Sequence, residues 1–120
     1  MTGSLRQLAE LLTFPVAIAA GQILFKRAAA QLGPVQGVSW VLDLARSPTM
    51  WLALALYAGA TLLWVRILTT VPLSRAYPFM ALAFVLVPAA GYLFFNESIT
   101  ARYALGTLLI IAGVIVVARA

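Results

Sequence analysis

No cysteine and no histidine occur in these 120 residues, and only three side chains are acidic. Without cysteine there is neither a disulfide framework nor a thiolate metal site, and without histidine the commonest neutral metal ligand and the usual proton shuttle are missing as well. Glu10, Asp43 and Glu97 are too scattered to supply the paired carboxylates of a hydrolase, and no Ser/His/Asp arrangement exists. Covalent chemistry, a metal site and a cofactor are therefore not expected. Charge of any kind is scarce: 9% of the residues carry one, against 64% that are hydrophobic. A soluble chain of this size needs a polar exterior, so the shortage makes lipid the solvent. The net charge of +5 comes from basic residues standing singly at segment edges. That pattern argues against nucleic acid and for anionic membrane lipids as partners.

What is present is length of apolar run. Leu8–Ala30, Met50–Thr70, Leu73–Phe95 and Ile99–Ala118 each come close to the ~20 residues that cross ~30 Å as helix. None alternates polar and apolar residues as a barrel strand would, and backbone donors cannot stay unpaired in hydrocarbon. The expected fold is an all-α integral membrane protein, a bundle of four transmembrane helices forming a single domain over residues 1–120. The first run lacks the short apolar core and small-residue cleavage site of a signal peptide and is expected to remain a helix. "QLGPVQGVSWVLDLARSP" is the one sizeable connection; Gly33-Pro34 ends a helix, Pro48 begins another, and Trp40, Leu42 and Leu44 give the centre an amphipathic character suited to the membrane surface. The turns "TTVPLS" and "NESITA" are short and force antiparallel neighbours.

Cations do not choose an orientation. Arg6, Arg66, Arg75 and Arg119 fall on one face of the membrane and Lys26, Arg27, Arg46 and Arg102 on the other. Either the chain inserts both ways and pairs antiparallel, or some of these cations serve function.

Candidate functional residues sit at the helix ends. Arg66 near the close of the second run and Arg75 near the start of the third meet across a tight hairpin at headgroup depth. Two planar guanidinium forks beside the open amides of Ser74 to Tyr77 suit phosphate oxygens, the alternative being two anchors that snorkel to the surface. In the first run Ile18, Gln22 and Lys26 share a helix face, with Gly21 and Phe25 beside them. A polar amide at the depth of Gln22 either ties a neighbouring helix or offers hydrogen bonds to a cargo sugar, while Lys26 is placed to meet phosphate at the opposite face. In the last run Gly106, Ile110 and Gly113 share a face that allows close helix packing. Pro15, Gly21, Pro78 and Pro88 permit bending.

"VPLSRAYP" through "NESIT" to "GTLLIIAGVIVV", together with "AGQILFK" in the first run, resembles the drug/metabolite transporter superfamily. The likeness extends to its single-unit, four-helix members, the small multidrug resistance proteins and the Arn-type flippase subunits that move aminoarabinose-phosphoundecaprenol, and it covers most of the chain. In proton-coupled multidrug members a glutamate lies where this chain has Ile18, and a tryptophan where it has Met80. The departure disfavours proton-coupled cation export, for which Glu10 near the membrane surface is no substitute. The Arn-type likeness implies a lipid-linked anion as cargo, with Tyr77 at the family's aromatic cargo-facing position. It also implies a structural role for Glu97 and a helix-4 seam at Gly106, Ile110 and Gly113. Four helices enclose little volume, so a homodimer or a paralogous four-helix partner is expected. The resemblance thus implies a flippase of a polyprenyl-phosphate-linked sugar in the bacterial inner membrane. Two other readings share the fold: an exporter of small amphiphilic cations or metabolites, and a non-transporting accessory subunit of a membrane enzyme.

Overall fold

The structure is a computed structural model that describes residues 2–120, with side chains from Leu5 onward. Its helices are α1 (Thr2–Gln31), the short α2 (Ser39–Ala45), α3 (Pro48–Leu68), α4 (Leu73–Ala76), α5 (Ala83–Phe95) and α6 (Ala101–Ala118), with a 3-10 stretch, Tyr77–Leu82, between α4 and α5. Four segments are long and apolar enough to cross a membrane: Leu5–Gln31, Pro48–Leu68, Leu73–Phe95 and Ala101–Ala118. The chain is an all-helical, multi-pass membrane protein without a strand among the described residues.

Local chemistry sets the ends. Ser47 caps α3, its hydroxyl accepting from the Met50 amide at 3.3 Å, and Pro48 occupies the first turn where a missing N–H costs nothing. Thr100 caps α6 by accepting from the Tyr103 amide at 3.1 Å, so that helix begins at Ala101, after Ile99. Asn96 ends α5 in the left-handed region at φ 56°, which lets the Glu97 amide donate back to the Gly91 carbonyl at 3.2 Å. The third span is not one helix. Pro78 removes a backbone donor just after α4, and the chain tightens to 3-10 geometry until Leu82 before resuming as α5.

Two helices make the centre. α1 lies most extensively along α3 and next along the third span, while α6 rests chiefly against the 3-10 stretch. Ala53, Ala60 and Ile67 form the buried stripe of α3. The core gathers Leu11, Phe14, Ala60, Ile67, Val71 and Ala76, with the Phe14 and Trp64 rings stacked at 4.7 Å. Lipid tails are as apolar as these side chains, so close packing rather than dehydration holds the helices, and small residues at the seam allow it. Gly21 shows how close: a Cβ there would collide with the Tyr57 ring. By contrast α6 has no buried residue.

Candidate functional site

Antiparallel packing sends the polar residues to two ends of the bundle. At one end α1 and α5 finish and α6 begins. There Lys26 Nζ lies 4.0 Å from Glu97 Oε2, each side chain about half exposed at 54% and 53%. The turn through Asn96 folds the Glu97 carboxylate back over the end of α5, where its Oε1 occupies the space a Cβ on Gly91 would need. A larger residue at Gly91 would displace the carboxylate from that position. Lys26, Glu97, Gln22, Gly91 and Phe95 line a recess of about 200 Å³.

Deeper along the same side, a second recess of about 240 Å³ is walled by Ile18, Gln22, Phe84, Val87, Pro88 and Tyr103. The two recesses adjoin through Gln22 and Val87. Together they make a groove along α1 and the third span that is charged at its end and apolar toward the middle of the bilayer. Gln22 does not hang free in it: its Nε2 donates to the Tyr57 hydroxyl at 2.6 Å, tying α1 to α3. Such bonds within a membrane contribute about 0.6 kcal/mol on average, enough to orient the amide without locking it. Phe25 flanks the same tyrosine, ring centres 5.0 Å apart.

At the opposite end Glu10 Oε1 receives two guanidinium groups, Arg6 Nε at 3.3 Å and Arg66 Nε at 3.3 Å. The Glu10 side chain is only 17% exposed. Arg6 Nε also donates a hydrogen bond to that oxygen. These three residues line a recess of about 300 Å³ with Gln7, Thr69 and Thr70. Arg75 lines the neighbouring recess of about 290 Å³, which shares Gln7 and Thr70 with the first. The hairpin thus brings Arg66 and Arg75 into adjoining hollows, with Arg66 paired to Glu10.

Tyr77 faces a wide hollow, about 710 Å³, between the start of the third span and the end of α6. Pro78, Ile110 and Gly113 line it as well, so the expected cargo-facing tyrosine and part of the expected helix-packing face share one surface. Among the described residues, none lies within 4 Å of a Cβ built on Gly106 or Gly113. Within this chain those glycines serve no close helix contact.

Sequence reasoning missed Glu10, Tyr57, Gly91 and Tyr103. The i, i+4 spacing of Arg6 and Glu10 was the only local signal for the first. The partners Arg66 and Tyr57 come from α3, and no spacing within α1 announces them.

Three relatives bear the same name, "Probable 4-amino-4-deoxy-L-arabinose-phosphoundecaprenol flippase subunit ArnE". The protein of Hamiltonella defensa subsp. Acyrthosiphon pisum is 34% identical over 100 residues, covering 81% of this chain and 90% of its own length. That of Pseudomonas aeruginosa strain UCBPP-PA14 is 38% identical over 99 residues, 82% of this chain and 85% of its own. That of Enterobacter sp. strain 638 is 43% identical over 72 residues, 58% and 67% respectively. No family model matches the chain, and no solved structure does.

Proposed function

The chain belongs to the family of ArnE flippase subunits, and from that premise we propose that it is one subunit of a transporter moving a polyprenyl-phosphate-linked sugar across the bacterial inner membrane. The observation that carries this reading is the groove along α1 and the third span, with Lys26 and Glu97 at its end and Ile18, Phe84 and Val87 farther in. A lipid-linked sugar has the same polarity profile: a charged, hydroxyl-rich head on an apolar chain. Gln22 stands at the junction, where its amide oxygen is available to a sugar hydroxyl while Nε2 stays on Tyr57. No covalent step is part of this function. Movement of the head needs only differential binding at the two membrane faces.

The far end supports the reading through charge. Arg6, Arg66 and Arg75 outnumber Glu10 there. The half-exposed guanidinium of Arg66 and the fork of Arg75 are the groups we assign to a lipid phosphate at that face. Tyr77 is assigned to the headgroup region beside them. We assign the partner subunit, a second copy or a paralogous four-helix chain, to α6, which has no buried residue and where no described residue lies within 4 Å of a Cβ built on Gly106 or Gly113. The exporter alternative has less support, since the position that bears a glutamate in proton-coupled multidrug members is Ile18 here, and the groove's carboxylate, Glu97, lies at its end beside Lys26.

Reconstitution tests it. Proteoliposomes containing the full chain and any chain that co-purifies with it should translocate a labelled undecaprenyl-phosphate sugar. Absence of translocation, combined with stable co-purification of an enzyme, would identify an accessory subunit instead.

A further inference from the structure

We propose that Lys26 and Glu97 form a split charge pair that recognises a zwitterionic headgroup: Lys26 takes the phosphate and Glu97 takes an ammonium on the sugar. This rests on the lipid-linked-sugar reading above and adds to it which polar group of the cargo each residue selects. At 4.0 Å the two charges attract without a hydrogen bond between them, and both side chains are about half exposed toward one recess. A pair made for stability would be closer or better shielded.

The placement of Glu97 adds the stronger argument. Its carboxylate is folded over the carboxyl end of α5, against Gly91, at the negative end of the helix dipole. An anion gains nothing from that helix end and is held there by geometry: the left-handed turn at Asn96, the Glu97 amide on the Gly91 carbonyl at 3.2 Å, and a glycine that leaves room. Nor does Glu97 cap α6, since Thr100 does so. The half-exposed carboxylate has one ammonium near it, at 4.0 Å, and the recess beside it has room for a second cation. An amino sugar joined to phosphate brings a cation for Glu97 and an anion for Lys26, so both charges gain a closer partner as the original pair separates. The recess of about 200 Å³ between them admits a single small headgroup, with Gln22 on its inner wall.

The test uses the full chain in lipid nanodiscs, with any chain that co-purifies, and three probes: undecaprenyl-phosphate pentose bearing a 4-amine, the same lipid with a 4-hydroxyl, and undecaprenol. Wild type should bind the amine form about tenfold more tightly than the hydroxyl form, and the hydroxyl form more tightly than undecaprenol. Glu97→Gln should bring the first ratio to about one and leave the second standing, whereas Lys26→Gln should diminish the second. The exchange of both charges, Lys26→Glu with Glu97→Lys, keeps an ion pair and the fold and should still abolish the amine preference. If the exchanged protein prefers the amine form as wild type does, the pair is structural and the proposal fails. Equal binding of the two sugar lipids by wild type, both above undecaprenol, overturns the proposal alone. Equal binding of all three lipids overturns the lipid-phosphate reading with it.

Discussion

The two ends of the bundle handle charge in opposite ways. At one, a single carboxylate that is 17% exposed gathers two guanidinium groups at 3.3 Å. At the other, one ammonium and one carboxylate, half exposed, stand 4.0 Å apart. The first arrangement is closer and its carboxylate is sheltered, although both guanidinium groups are more than half exposed; it ties α1 to α3 through Arg66 and leaves an excess of positive charge at that end. The second is balanced in charge but loose, so breaking it costs little and a ligand can do it. On the proposed reading, an arrangement that stabilises and one that recognises differ less in residue type than in distance and in the shelter of the carboxylate.

The comparison can be attacked first at the strut that joins the two ends. Gly21→Val places a branched side chain into the Tyr57 ring, so α1 must move off α3 and the Gln22 bond to Tyr57 must break. Overpacking of that kind costs about 1–3 kcal/mol. The expected outcome is lowered unfolding temperature in detergent and impaired lipid binding at both ends together. A smaller effect is expected from Glu10→Gln, which leaves Arg6 and Arg66 without their shared anion and should lower stability by about 1–2 kcal/mol, read from the same unfolding curves. Next comes Gly91→Ala, whose methyl group displaces the Glu97 carboxylate. It should reduce the preference for an aminated lipid about tenfold, equivalent to about 1.4 kcal/mol, while barely altering stability. Smallest of all, Lys26→Gln should change stability by no more than about 0.5 kcal/mol, because the pair it removes is half exposed. A loss at Lys26 as large as that at Glu10 would erase the distinction between the two ends.

The bundle was legible because run length and the shortage of charge act locally: ~20 apolar residues have one stable form in lipid. Helix ends were read within a few residues: Pro48 announced the start of α3, and the run from Ile99 came within two residues of the start of α6, which Thr100 caps. The break in the third span, expected as one continuous helix, had Pro78 as its signal; how far the 3-10 geometry would extend, to Leu82, depends on what packs around it. Lys26, Gln22, Arg66, Arg75 and Tyr77 were found as polar exceptions in apolar surroundings. Their companions were not, since Tyr57 reaches Gln22, and Arg66 reaches Glu10, only once α1 lies on α3. Position along a helix shows which residues are unusual; only packing shows which of them meet.

The helix-4 face gives a separate check on assembly. Gly106→Leu with Gly113→Leu fills space that nothing in this chain occupies. It should leave the fold intact and separate the subunits in native mass spectrometry, unless the partner sits elsewhere.

The central claim is that this chain binds a lipid through its phosphate, and competition in native mass spectrometry tests it most directly. Nanodiscs carrying the protein would be loaded with equal amounts of undecaprenyl phosphate and undecaprenol, and the lipid retained on release would be weighed. Retention of the phosphate form, weakened by Arg66→Gln or Lys26→Gln, is the predicted result. Equal retention of both lipids by the wild-type chain would contradict the account.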